Sequence, residues 1–174
     1  GTEECGLLQF DEGETLLQQY KHTSDIHSLF DSRNIILSMS YNGGDTIWIG
    51  TSDGPGFFNK TTKQFSRLPI IIKYNDTPRR NVPNMVRDRR GSLWIVLNGN
   101  GLLRYNPRDN SFKQYLNDKK DTTSLTSDHI VSVFEDKNGV IWLSDYTGGI
   151  NRLDRAGETF RHYLRGTPCY GMYE

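Results

Sequence analysis

The sequence predicts an all-β chain made of four-stranded antiparallel meanders set in series, and three observations carry that reading. First, all three tryptophans occupy one slot, in Ile47-Trp48-Ile49, Leu93-Trp94-Ile95 and Ile141-Trp142-Leu143, spaced 46 and 48 residues apart. Second, further columns keep the same period: Gly6, Gly54, Gly101 and Gly149; Phe10, Phe58, Tyr105 and Leu153; Leu17, Phe65, Phe112 and Phe160; Tyr20, Leu68, Tyr115 and Tyr163. Third, clusters of Gly, Asn, Asp and Thr break every stretch before three helical turns could form, which removes a helical repeat. A recurrence of this length means an array of one supersecondary unit.

Taken in order, residues 1–20 read as two strands, Gly6–Asp11 and Thr15–Tyr20, around the turn Glu12-Gly13-Glu14. They correspond to the third and fourth strands of a unit, a half blade. Residues 21–33 are polar and read as a connection. The first full unit spans 34–69. Its strands are Ile35–Met39, Thr46–Gly50, Phe57–Asn59 and Phe65–Leu68, separated by Asn42-Gly43-Gly44-Asp45, Ser52-Asp53-Gly54 and Thr61-Thr62-Lys63. The second unit, 81–116, places strands near 82–88, 92–97, 101–105 and 111–116. Pro83 lacks a backbone donor and makes its first strand irregular. The third unit, 128–164, repeats the plan near 129–135, 140–144, 149–153 and 159–164, and 165–174 form a C-terminal tail. The column glycines Gly54, Gly101 and Gly149 suit a bulge or positive φ where the third strand begins. The tryptophan triplets are continuously apolar, as expected of strands covered on both faces.

Serial four-stranded meanders of this length are the mark of a β-propeller, here about three and a half blades. Such a count gives an incomplete ring, so the remainder of a propeller or a second copy, in a homodimer of half-propellers, is the expected partner.

Composition narrows the function. Basic and acidic side chains balance at 21 each, which removes the electrostatic case for nucleic acid or an anionic membrane surface. The richest apolar run, 69–72, is far shorter than a membrane span. Cys5 and Cys169 are either unrelated free thiols or a bridge tying the two ends.

The motif Asp136-Lys137-Asn138-Gly139-Val140-Ile141-Trp142-Leu143, then Gly148 to Asp154, then Phe160 and Tyr163, resembles the two-component regulator propeller repeat. Residues Asp88 to Ile95, Gly101 to Pro107, Phe112 and Tyr115 match it again, and Ser124-Leu125-Thr126-Ser127-Asp128 resembles its connecting segment. Ser28-Leu29 is a looser copy. The first unit departs most, with Asp45 at the turn glycine and Lys60 at the proline position. Val96-Leu97 and Ser144-Asp145 replace the usual Gly-Thr that Gly50-Thr51 keeps. The resemblance implies an extracytoplasmic, periplasmic sensor segment of a hybrid two-component histidine kinase. The kinase lies elsewhere in the parent, the membrane is met only through other parts, and the ligands are oligosaccharides.

Candidate chemistry is sparse. Asp136–Gly139 has some residues of a calcium loop but lacks its further acidic positions and flanking helices, so a hairpin turn is the better reading. The histidines, His22, His27, His129 and His162, have no metal-ligand spacing, and no nucleophilic triad or paired acids stand out. Neither catalytic residue, metal nor cofactor is expected. A lyase-type propeller enzyme would need histidines and carboxylates clustered on one face, and a protein–protein scaffold is the other alternative.

Ligands of propellers meet the loops between second and third strands and the connections between blades. Those loops are Ser52-Asp53, Asn98-Gly99-Asn100 and Asp145-Tyr146-Thr147. Amides, carboxylates, guanidinium groups and an aromatic face suit a sugar, which selects Asn98, Asn100, Asp145, Tyr146, Arg79 and Arg80. His129 opens a first strand and is added for its hydrogen-bonding ring. Ser38, Asn84 and Ser132 share a first-strand column and are expected to line a hydrated channel.

Overall fold

The computed structural model describes residues 6–21, 35–41, 43–70, 81–147, 149–164 and 166. Cys5, Cys169, His22, His27, Ser28, Leu29, Arg79 and Arg80 lie outside them.

Two compact units hold the described strands. The first contains β1 (Leu7–Phe10), β2 (Leu16–Tyr20), β3 (Ile36–Ser40), β4 (Thr46–Thr51), β5 (Gly54–Asn59) and β6 (Gln64–Arg67). β1 and β2 form a two-stranded antiparallel sheet, and β3-β4-β5-β6 form a four-stranded one. The second unit contains β7 (Met85–Arg87), β8 (Leu93–Val96), β9 (Leu102–Asn106) and β10 (Ser111–Tyr115), then β11 (Ile130–Glu135), β12 (Ile141–Asp145), β13 (Gly149–Asp154) and β14 (Thr159–Tyr163). These make two further four-stranded sheets in sequential order. The all-β blade architecture, with one half blade and three whole ones, is therefore present. β7 is the shortest of the described strands and starts two residues after Pro83, which supplies no donor to a ladder.

The hairpin between first and second strands shows how local sequence sets the blade. Asp88 O accepts from Gly91 N at 2.9 Å, and Gly91 takes a φ of 89°. Asp88 Oδ1 accepts from Ser92 N at 2.8 Å while Oδ2 accepts from Trp94 Nε1 at 2.8 Å. In the third blade, Asp136 Oδ1 accepts from Val140 N and Oδ2 from Trp142 Nε1, each at 2.9 Å. One carboxylate thus closes the turn and fixes the indole. The equivalent residue in the first blade is Asn42, outside the described residues.

The other hairpin, between third and fourth strands, is closed by a side-chain oxygen of Asp11, Asn59, Asn106 or Asp154, each accepting backbone N–H two residues on. Such turns are what Asn and Asp favour in this position.

Packing follows the columns. Trp94 is 1% exposed, stacks on Tyr115 at 6.0 Å between centroids, and joins Leu102, Ile141, Leu153 and Phe160 in the core of the second unit. Tyr115 in turn meets Phe160 edge-on at 5.6 Å. The guanidinium groups of Arg104 and Arg155 lie 5.6 and 5.8 Å from the Trp94 ring. Arg155 also pairs with the fully buried Asp88 at 3.0 Å and with Glu135 at 3.4 Å, joining the second and third blades. In the first unit Leu7, Ile36, Ile49 and Phe58 form the core, with Tyr20 4.6 Å from Phe58 and 6.3 Å from Phe65.

The half-buried side chains of the first-strand polar column each make a hydrogen bond. Ser38 Oγ donates to Val82 O at 2.9 Å, Asn84 Oδ1 accepts from Val133 N at 2.9 Å, and Ser132 Oγ lies 2.9 Å from Ser144 Oγ. Ser38 ties its strand to the segment that follows, Asn84 ties two blades, and Ser132 ties two strands of one blade. Gly50 is required by close approach, because a Cβ there would lie 2.6 Å from Val82 Cγ1.

Replacing Trp94 by alanine should cost ~3–5 kcal/mol, the range for a buried aromatic. Trp142→Ala should cost distinctly less, since Trp142 is only half-buried. Equilibrium urea unfolding of both variants checks this; equal losses would contradict the blade-packing role.

Candidate functional site

In an antiparallel meander, the loop from second to third strand and the connection leaving the fourth strand lie at the same end of the sheet. In the second unit that end collects residues 97–101, residues 146–147 and the connection 116–129.

The connection is held by its own side chains. Asn117 N donates to Asp128 Oδ1 at 2.7 Å, and Asn117 Nδ2 donates to Leu125 O. Ser124 Oγ accepts from Asp118 N at 2.8 Å and donates to Asp121 O at 2.8 Å. Leu125, 1% exposed, plugs the segment into the core. Thr123 O accepts from Phe160 N at 2.7 Å, and His162 Nε2 lies 2.7 Å from Ser124 O, so that ring nitrogen carries a proton. The connection is therefore laid against β14.

Asp145 is the hub beneath it. Its side chain is fully buried, and Oδ1 accepts from Thr147 N at 2.8 Å and from Thr147 Oγ1 at 2.6 Å. Oδ2 accepts from Thr126 Oγ1 and from Asn151 Nδ2 at 3.2 Å. Asn151, also fully buried, accepts from Thr126 N at 3.0 Å. Buried polar groups need this degree of satisfaction. Gly149 has no positive φ, unlike Gly54 and Gly101. Its lack of a side chain is explained instead by Asp145 Oδ2, which would sit 3.0 Å from an added Cβ.

Against this platform lies a cavity of about 320 Å³ whose lining includes Asn117, Asp118, Lys119, Asp121, Thr126 and His162. The set offers carboxylates, an amide, hydroxyls and an ammonium, which suits a polyhydroxylated ligand. The Asp121 carboxyl is held below its ordinary value of 3.8 because Thr123 donates to it, from Oγ1 at 2.7 Å and from N at 2.8 Å. Among the described residues, no group of three or more His, Cys, Asp or Glu side chains is placed to hold a metal ion.

The residues selected from sequence divide by exposure. Asn100 is fully buried; its Nδ2 donates to Asn98 O at 3.3 Å and its carbonyl accepts from Gln114 Nε2 at 3.1 Å. Asp145 is the buried hub just described. Asn98 is half-buried. Tyr146 is 61% exposed, and its N–H donates to the carbonyl of His129, whose side chain is also exposed. Tyr146 and His129 thus share the surface next to the hub. Asp53, in the first unit, pairs with Arg67 at 2.5 Å. Arg79 and Arg80 lie outside the described residues. Sequence reasoning passed over Asn117, Asp118, Lys119, Asp121, Thr126 and His162. The signal for the first five was the run of charged and hydroxyl residues between two blades. Nothing in the sequence marked His162, which arrives from a different strand.

Residues 124–147 match the family model described as two component regulator propeller. That stretch contains Thr126, Asp145 and Thr147 of the hub, and Asn151 lies just beyond it. No curated protein matches the sequence. Among solved structures, the extracellular domain of one hybrid two component system from B. thetaiotaomicron is 22% identical, with TM-score 0.65 over 75% of this chain and 18% of that one. A second from the same organism is 16% identical, with TM-score 0.68 over 94% of this chain and 22% of that one. The chain thus spans about a fifth of the length of these two proteins. Virginiamycin B lyase from Staphylococcus aureus is 10% identical, with TM-score 0.58 over 90% of this chain and 47% of that one. These likenesses show the propeller fold.

Two outcomes are expected. Thr126→Val leaves Asp145 and Asn151 short of a partner and should cost ~1–3 kcal/mol by urea unfolding, with loss of order in 116–129 by hydrogen exchange. Asp121, whose pKa is depressed in the folded state, contributes stability that is present above about 3.8 and lost as pH falls through its lower folded value. Its carboxyl carbon, followed by NMR, should titrate below 3.8 and move back toward it in Thr123→Ala.

Proposed function

We propose that the chain is an extracytoplasmic, periplasmic sensor segment of a hybrid two-component system and that its ligand is an oligosaccharide. The observation that carries this reading is a coincidence of position. The stretch matching the regulator-propeller model, residues 124–147, also supplies the Asp145–Thr126 hub and part of the lining of the polar cavity. A sugar ring needs paired donors and acceptors plus a flat apolar face. Asp121, Lys119 and Asn117 offer the first, and the exposed Tyr146 ring, with Asn98 and His129 on the same end of the unit, offers the second nearby.

In this reading the chain does no chemistry of its own. Binding shifts the connection 116–129, and the change passes to the neighbouring blade through contacts that the connection already makes. Gly101 N donates to Asp128 O at 2.9 Å, so the loop of the second blade and the entrance to the third move together. The parent kinase would convert such a shift into control of glycan-utilisation genes.

The test is a thermal-shift and calorimetric screen of the chain against an oligosaccharide panel. Ligand at about a hundred times Kd adds ~2.7 kcal/mol, which should raise Tm by roughly 5–10 °C for a chain of this size. Asp121→Ala with Lys119→Ala should abolish that shift. Flat curves across the panel, with a stable complex formed with another protein, would replace sensing by a scaffold role.

A further inference from the structure

A second cavity of about 220 Å³ lies beside the first, between β10 and β14, with Lys113, Tyr115, Glu158, Thr159 and Phe160 in its lining. We infer that the two cavities are adjoining subsites of one groove, and that the ligand is a saccharide of at least two rings whose linkage crosses Asp118 and Asp121. This rests on the reading of the chain as a sugar sensor and gives that reading a minimum ligand length and a second set of contacts.

Shared walls join the cavities. Asp118 and Asp121 line both. The chain passes from one to the other as it leaves β10, with Lys113 and Tyr115 in the second cavity and Asn117 in the first. β14 makes the same passage, with Phe160 in the second and His162 in the first. Two residues along a strand span ~7 Å, the scale of one sugar ring. The first cavity alone, at about 320 Å³, is at the lower end of the ~300–1,000 Å³ of small-molecule sites. The second lengthens it along the same two elements.

The shared carboxylates are fixed and half-used. Asp118 Oδ1 accepts from Lys120 N at 2.9 Å, and Asp121 Oδ1 accepts from Thr123 N at 2.8 Å. Their backbones are tied in turn, Asp121 N donating to Asp118 O at 3.0 Å and Ser124 N to Asp121 O at 3.1 Å. Oδ2 of each accepts no hydrogen bond from the described residues. Two held carboxylates, each with an oxygen to spare, can take hydroxyl donors from the rings on either side of a linkage.

The second cavity has its own sugar chemistry. Lys113 Nζ donates to Glu158 Oε2, and Tyr115 Oη donates to Glu158 Oε1 at 3.4 Å. The bond from Lys113 holds the Glu158 carboxyl below its ordinary value of 4.5, so the pair stays ionised. A charged donor and a charged acceptor side by side suit a pair of neighbouring hydroxyls, and the Tyr115 and Phe160 rings supply apolar wall. Both members of the ion pair are partly exposed, so its removal costs the fold little.

The test is calorimetry and NMR titration of the full chain with gluco-, xylo-, manno- and arabino-oligosaccharides of one to four units. In a series that binds, the disaccharide should bind about tenfold or more tighter than its monosaccharide, at least ~1.4 kcal/mol. Lys113→Ala with Glu158→Gln should remove that gain and leave the monosaccharide's affinity unchanged, which also reports that the variant is folded. Amide shifts should divide the same way: the monosaccharide moves residues 117–126, and the disaccharide moves 113–116 and 158–160 as well. A series that binds without gain from a second ring, or whose gain survives in the double variant, would overturn the inference and leave the sensor reading standing. Absence of binding from every series would remove the sugar-sensing reading and the inference with it.

Discussion

The bond from an indole N–H to the aspartate of its own hairpin turn is the interaction on which each of the two best-defined blades depends. Asp88 and Asp136 accept backbone N–H groups with one oxygen and the tryptophan with the other. The turn therefore dictates where the largest side chain of the blade lies. An indole buried without a partner for its N–H would lose more than the hydrogen bond is worth, because the desolvated donor is left unsatisfied. With the donor met, the ring is free to act as the apolar surface between blades. Asp88 then does a third thing: it receives Arg155 from the next blade. Its burial is tolerable because it is both paired and hydrogen-bonded.

The same division of labour explains why the two ends of the second unit differ. At the end holding these turns, buried charge and aromatic stacking lock blade to blade. At the other end hydroxyl and amide groups converge on the Asp145 carboxyl, together with a connection whose side chains mostly bond to their own backbone. That end keeps a polar cavity and exposed rings, and its elements are the ones able to rearrange at modest cost.

How much of this was legible in the sequence depends on whether a signal was periodic. The tryptophan column, the aromatic columns and the Asp/Asn turn positions recur, so their structural roles could be read from spacing. The polar candidates were chosen by residue type and loop position, and that rule treats Asn100, Asp145 and Tyr146 alike. Tertiary packing separates them. Asn100 and Asp145 are buried because a short loop must satisfy its own backbone, whereas Tyr146 points to solvent. Ser38 and Asn84 share a column, and each bonds backbone across to the following segment or blade. Such a partner lies 44 or 49 residues away and leaves no local mark.

The sequence by itself determined the class, the repeat and the identity of the blade-packing residues, since a fixed period of apolar and turn residues admits few other folds. Tertiary structure alone decided which polar side chains are exposed and where the cavity lies between connection and β14. The physical reason is that burial and cavity shape arise from contacts between distant segments. A period can say which residues are equivalent, but not what meets them.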